Sequence, residues 1–268
     1  MQCIHPIPIK RVNVRGNYVD VPCGRCYPCM SNKRNQWSFR LAQQLKNSKS
    51  AYFVTLTYSD ECKPLDGCLN KREIQLFLKR LRKDWHIDGL KYYLVGEYGP
   101  KTHRPHYHVI FFNLPPDPEN KLISSWKHGF VSVGQVNSAS IHYTTKYLIT
   151  KHDAPKHLTA PFMLVSKGMG ECYLAESGMF HIENQQFYST VDGGNKIPLS
   201  SYYKNKIFTK EERNLNTQRS MRYVDKIRTK MLENLKNKGH KEPLRYLLDN
   251  QEINNQNKLE LITKRSKL

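Results

Sequence analysis

Lys91-Tyr-Tyr-Leu-Val-Gly-Glu97-Tyr-Gly-Pro-Lys-Thr-His-Arg-Pro-His106-Tyr-His108-Val-Ile-Phe-Phe112 is the stretch whose reading decides the fold. Both ends are rich in aromatic and β-branched residues, and the middle carries Gly99, Pro100 and Pro105, so it reads as two strands joined by a turn. Side chains at i and i+2 share one face of a strand, which sends His106 and His108 out together, about 7 Å apart along the chain. Tyr107, Val109 and Phe111 take the opposite face. A hairpin tip near Lys101 and Thr102 sets Glu97 opposite His106, and the Cβ atoms of such a pair stand about 5 Å apart. Two imidazoles and one carboxylate meeting at one point make an incomplete shell for a divalent cation, with positions left for water or a phosphate oxygen. The plainer reading is two ordinary histidines near a sheet end, and a His-x-His pair alone does not decide between them.

The strands and helices around the hairpin define an α+β chain. Ala51-Tyr-Phe-Val-Thr-Leu-Thr-Tyr58 is strongly β-prone and predicts a central strand, with Thr55 and Thr57 on its more polar face. Residues 71–86 predict an amphipathic helix with Ile74, Phe77, Leu78, Leu81 and Trp85 on one face. Its Lys79, Arg80, Arg82 and Lys83 fit either a solvated face or a track for DNA. Asp117 to Trp126 predicts a short helix and Gly129 to Val136 a further strand. Gly129 and Gly134 have the spacing of a phosphate-binding loop, but Gln135-Val136 stands where Lys-Ser/Thr is required, so there is no ATPase motif. A helix is expected from about Ser138 to Lys151, carrying Tyr143, Lys146 and Tyr147. The two tyrosines stand one turn apart on one face, about 6 Å between Cβ atoms. Such a pair packs a helix onto a sheet as readily as it does chemistry.

The N-terminus has a character of its own. Val21-Pro-Cys23-Gly-Arg-Cys26-Tyr-Pro-Cys29 is a double Cys-x-x-Cys run, with Cys3 as a fourth thiolate. Two-residue gaps let a turn aim successive thiolates at one metal, and four of them close a tetrahedral zinc site of structural kind. His5 is a substitute ligand for Cys3, and a redox pair or an iron–sulphur cluster on the same thiolates are the alternatives. The chain divides on this reading into a Cys-rich segment plus helix (1–50), a core (51–152), an extension of loops and short strands near 179–191 (153–208), and a basic helical tail (209–268). The tail opens on a capping box, Thr209-x-x-Glu212, and its last ~15 residues are expected to be loosely ordered.

Composition restricts the partner. The 268 residues carry 43 Lys and Arg against 23 Asp and Glu, a net +20, which favours a polyanion, nucleic acid before an anionic membrane. No apolar run approaches the ~18 residues of a membrane span, and no signal-peptide core opens the chain, so a soluble, intracellular protein is expected. Seven cysteines without a secretion signal argue against a disulfide framework. An open cation site beside two phenols and Lys146 suits attack on a phosphodiester: a Lewis acid orients the phosphate, Lys146 offsets developing charge, and the phenol is left as a 5′-phosphotyrosine with a free 3′-hydroxyl. Paired phenols allow one to hold a DNA end while the other attacks again.

His106-Tyr107-His108 resembles the His-hydrophobe-His motif of the HUH endonuclease superfamily. Tyr143-Thr-Thr-Lys146-Tyr147 resembles the Tyr-x-x-Lys-Tyr motif of its rolling-circle replication initiators. The chain as a whole looks most like the replication initiation proteins of single-stranded DNA phages of the Microviridae, the gokushoviruses in particular. The shared features are Pro22-Cys23-Gly-Arg-Cys26-Tyr-Pro-Cys29, Phe53 to Tyr58, Gly96-Glu97-Tyr98-Gly99 and Pro161-Phe162 with Ser166-Lys167, so the resemblance covers about residues 1–170. It implies a five-stranded antiparallel sheet flanked by helices, of the layered ferredoxin-like kind, and a magnesium- or manganese-dependent nickase. His106 and His108 are then metal ligands, with Glu97 third by register, and Tyr143 and Tyr147 nucleophiles. The partners implied are single-stranded DNA at the phage origin and, since the chain has no ATPase motif, a host helicase and polymerase in the cytoplasm of the infected bacterium. The rivals are a related HUH relaxase or transposase, and a non-enzymatic single-strand binder that stacks bases on Tyr52, Tyr58, Tyr92 and Phe111.

Overall fold

The computed structural model of the chain describes residues 3–10, 18–99, 101–146 and 157–265. In chain order its elements are β1 (Ile7–Lys10), β2 (Tyr18–Val21), α1 (Tyr27–Lys46), β3 (Ala51–Tyr58), α2 (Lys71–Trp85), β4 (Lys91–Tyr98), β5 (Pro105–Phe112), α3 (Glu119–Trp126), β6 (Gly129–Gln135) and α4 (Ser138–Lys146). There follow β7 (Phe162–Val165), α5 (Cys172–Glu183), β8 (Tyr188–Thr190), β9 (Lys196–Pro198), α6 (Ser201–Ile207), α7 (Lys210–Asn237) and α8 (Pro243–Arg265). They fall into two compact units, one of Trp37–Tyr173 and one of Met1–Gln36 with Leu174–Leu268.

The first unit is an α+β layer built on a five-stranded antiparallel sheet of order β6-β3-β5-β4-β7. Alternation along the strands gives each face its own core. Val54, Leu56, Tyr58, Leu94, Tyr107, Val109 and Phe111 are buried with Ile74, Phe77, Leu78 and Leu81 of α2 and Leu122 and Trp126 of α3. On the other face Tyr93, Val95, Ile110 and Phe112 are buried with Leu41 of α1, Ile141 of α4 and Met169. Asn70 starts α2 by accepting the backbone N–H groups of Arg72 and Glu73. Arg80 donates to the carbonyls of Ser125 and Trp126 at the end of α3, and the Arg82 guanidinium lies 5.5 Å over the Tyr92 ring. These two basic residues of α2 thus hold the fold together instead of facing a partner.

The fifth strand, β7, extends the sheet by pairing Tyr93–Gly96 with Phe162–Val165. It lies in a stretch read from sequence as loop. Gly129 has no phosphate to bind: its φ is +141°, and a Cβ there would stand 2.2 Å from Ser59 N and 2.5 Å from Thr57 O. Only glycine lets β6 come in against β3 at that point.

The second unit holds the β1–β2 hairpin, the start of α1, the β8–β9 hairpin and the later helices. Residues 172–183 form α5, a correction to the strands expected from about 179: β8 begins only at Tyr188. Phe187 stacks on Phe208 at 3.8 Å between ring centroids. The capping box opens α7 as expected, with Thr209 accepting from Glu212 N and Glu212 from Thr209 N. α8 runs on to Arg265, so the tail expected to be loose is helical through most of its last residues. Among the described residues no helix is long and apolar enough to cross a membrane.

Candidate active site

The β4–β5 register pairs Glu97 with His106 and Val95 with His108, as the hairpin reading expects. Glu97, His106 and His108 therefore share the sheet face that α1 and α4 cover. Each offers one ligand atom, and these atoms lie within 4.8 Å of one another. Nε2 of His106 is 2.8 Å and Nε2 of His108 2.9 Å from the same carboxylate oxygen, Glu97 Oε1. The Glu97 and His108 side chains are only 5% and 7% exposed, so what sits here is largely out of water.

The outer nitrogens fix which atoms point inward. His106 Nδ1 lies 3.1 Å from the Arg104 carbonyl, which can only accept, so Nδ1 carries the proton. Nδ1 of His108 is 3.0 Å from Thr55 Oγ1, its directly opposed neighbour on β3. Phe53 stacks on the His108 ring at 5.4 Å and 16° and limits its rotation. With Nδ1–H committed outward, both Nε2 lone pairs face a carboxylate oxygen. Such a convergence is stable only with a proton or a cation between the atoms, which is the fit expected of a metal seat. Burial works to raise the Glu97 carboxyl, but the hydrogen bonds and charge of His106 and His108 hold it below its ordinary value. Burial works to lower His106 too, yet Glu97 keeps it raised; at His108 burial wins and the imidazole is lowered.

α4 brings Tyr143 onto this same face. Its ring meets His108 edge-on at 5.3 Å and Phe53 at 6.0 Å, and the side chain is 41% exposed. Lys146 Nζ lies 4.8 Å over the Tyr143 ring. Partial burial lowers the Lys146 ammonium from its ordinary value, offset in part by the charge of Glu97. Thr145 anchors the helix, its hydroxyl 2.8 Å from that of Ser38. Tyr147, the second tyrosine of the pair, and the rest of the expected helix to Lys151 lie outside the described residues.

The cysteines gather elsewhere in the chain. Cys3, Cys23, Cys26 and Cys29 bring their sulphurs within 4.8 Å of one another, as the double Cys-x-x-Cys spacing expects. His5 is not among them and lies 4.0 Å from Glu252. The base-stacking platform of the binder reading fails in part, because Tyr58 and Phe111 are fully buried. Thr55, Phe53 and the Arg104 carbonyl escaped sequence reasoning. The alternation of β3 marks Thr55 as polar, but its pairing with a histidine 53 residues away is a matter of strand order.

Comparison with known proteins gives a consistent result. Residues 51–153 match the family model of the replication-associated protein ORF2. The chain is 32% identical over 228 residues to the replication-associated protein ORF2 of Spiroplasma virus 4, across 73% of this chain and 71% of that one. It is 27% identical over 246 residues to the replication-associated protein VP4 of Bdellovibrio phage phiMH2K, across 76% of each. With the replication-associated protein ORF4 of Chlamydia phage 1 it shares 28% identity over 153 residues, 49% of this chain and 38% of that one.

Proposed function

The chain belongs to the replication-associated proteins of bacteriophages, and on that premise we propose that it starts rolling-circle replication by nicking single-stranded DNA at the phage origin. His106, His108 and Glu97 hold a divalent cation, magnesium or manganese, which when bound would polarise the scissile phosphodiester. Tyr143 supplies the nucleophile. Its phenolic oxygen forms a bond to phosphorus, the bond from phosphorus to the 3′ oxygen breaks, and the phenol's proton ends on the departing 3′-hydroxyl. The 5′ end stays on the protein as a phosphotyrosine ester, which conserves the bond for rejoining. Lys146, with its ammonium beside the phenol ring, offsets charge as the phenol ionises. Tyr147 then takes the second attack, exchanging roles with Tyr143. Unwinding and synthesis fall to a host helicase and polymerase in the cytoplasm of the infected cell. The four cysteines form a separate metal site with no part in these steps.

One observation carries the reading: the Tyr143 ring packs directly on His108, beside the convergence of two imidazoles and one carboxylate. A single-stranded origin oligonucleotide, incubated with the protein and manganese, should yield a protein–DNA species that survives boiling in detergent. Tyr143→Phe should reduce that adduct, and the double change with Tyr147→Phe should abolish it. A doubly changed protein that still forms adduct at the wild-type rate would refute the nucleophile assignment. Binding without any adduct would return the chain to the non-enzymatic class.

A further inference from the structure

The N-terminal hairpin lacks what usually holds a hairpin together. β1 and β2 pair over four residues each, from Ile7↔Val21 to Lys10↔Tyr18, and belong to no larger sheet. Its apolar side chains are not withdrawn from water: Ile7 and Ile9 are 48% exposed and Tyr18 65%. An isolated two-stranded ribbon of this kind is marginal in water. Yet its two ends meet at one place, because Cys3 precedes β1, Cys23 and Cys26 follow β2, and Cys29 lies in the first turn of α1.

We propose that a single zinc ion, closed off by the thiolates of Cys3, Cys23, Cys26 and Cys29, is the structural clip that folds this hairpin onto the start of α1. Tetrahedral geometry with zinc–sulphur bonds of about 2.3 Å puts neighbouring sulphurs about 3.8 Å apart. Cys26 Sγ stands 3.7 Å from Cys3 Sγ, and all four sulphurs fall within 4.8 Å of one another. An iron–sulphur cluster sets irons and sulphides between its thiolates and needs a wider cage than one ion does. The backbone is shaped for anionic sulphur. Arg25 N and Cys26 N donate to Cys23 Sγ at 3.4 and 3.3 Å, and Cys23 N donates to Cys3 Sγ at 3.3 Å. Gly24, at φ +73°, makes the turn that lets the Cys23 donors converge. Four protein ligands leave no position for a substrate, so the ion's role is to hold structure. Because the donors must gather before they can bind, metal affinity and folding of the segment are one equilibrium.

The full-length protein purified without chelators should contain one zinc per chain by elemental analysis. Cobalt(II) exchanged into it should show the thiolate charge-transfer bands of a tetrahedral site. Cys26→Ser should lose the zinc. Should that variant misfold, stripping zinc from the wild-type chain with a mercurial and returning zinc alone gives the same information. Stripping should open the first thirty or so residues to trypsin while the sheet stays protected, and zinc should restore resistance. A chain with iron, with disulfides among these cysteines, or with no metal and four freely reactive thiols would overturn the proposal. So would zinc that survives Cys26→Ser, or that is lost from a His106→Ala, His108→Ala protein. The last variant should keep its zinc while forming no adduct, which separates this inference from the nicking reaction.

Discussion

At the scale of single residues the site is an arrangement of protons. The Arg104 carbonyl and Thr55 take the outer nitrogens of His106 and His108, so the inner ones are offered as lone pairs. Thr55→Val removes the partner of His108 Nδ1 without changing the strand. It should weaken manganese binding by roughly 10–100-fold, the usual cost of losing an outer-sphere hydrogen bond. Thr55→Ser should restore affinity, and an unchanged affinity in the valine variant would show that Phe53 alone orients the ring. The imidazole–carboxylate cluster also sets a pH dependence. In the metal-free chain His106 is raised from 6.5, so its share of stability is present below that value and lost as pH rises through the raised pKa. Glu97 is lowered from 4.5; its share is present above 4.5 and lost as pH falls through the lowered pKa. A cation competes with the His106 proton, so the thermal shift caused by manganese should grow between about pH 6 and about pH 8. Equal shifts at both ends would mean the ion binds elsewhere. The mixed imidazole and carboxylate donors also favour manganese over magnesium at equal concentration.

At the scale of elements, what could be read from sequence was what depends on short-range repetition. The β4–β5 hairpin has a period of two and an obvious turn, so its register and the meeting of Glu97 with His106 followed. The α2 helix followed from its stripe of Ile74, Phe77, Leu78, Leu81 and Trp85. The helix α5 did not, because Gly178 sits within it and Met179, Phe180 and Ile182 are exposed, which leaves no clean apolar stripe. Nor did β7, whose four half-buried residues show no alternation and whose partner strand lies some seventy positions away. Gly129 misled in an informative way: its spacing suggested a phosphate loop, and its true constraint is contact with a neighbouring backbone. Gly129→Ala should push β6 off β3 and cost about 3 kcal/mol or more by chemical denaturation, whereas a site that merely needed flexibility would lose about 1. Asn70→Ala, which removes two accepted N–H bonds at the start of α2, should cost about 1 kcal/mol.

At the scale of the whole molecule, charge and topology bear on function in different ways. The net +20 makes binding to single-stranded DNA depend on released counterions, so affinity should fall steeply between low and moderate salt. A weak salt dependence would mean that the basic residues are mostly engaged in the fold, as Arg80 and Arg40 are. The sheet order places β5 in the middle, with β3 on one side and β4 on the other. Both histidines ride on that middle strand, laddered to Thr57 and Thr55 on one flank and to Glu97 and Val95 on the other. No local fraying frees either ring: two ladders must part at once, and those ladders are the most enclosed in the domain. The cation seat accordingly has no private route of failure. Heat should extinguish nicking and melt the sheet in one transition, and an enzyme that goes silent well before its strands separate would have lost something other than this seat.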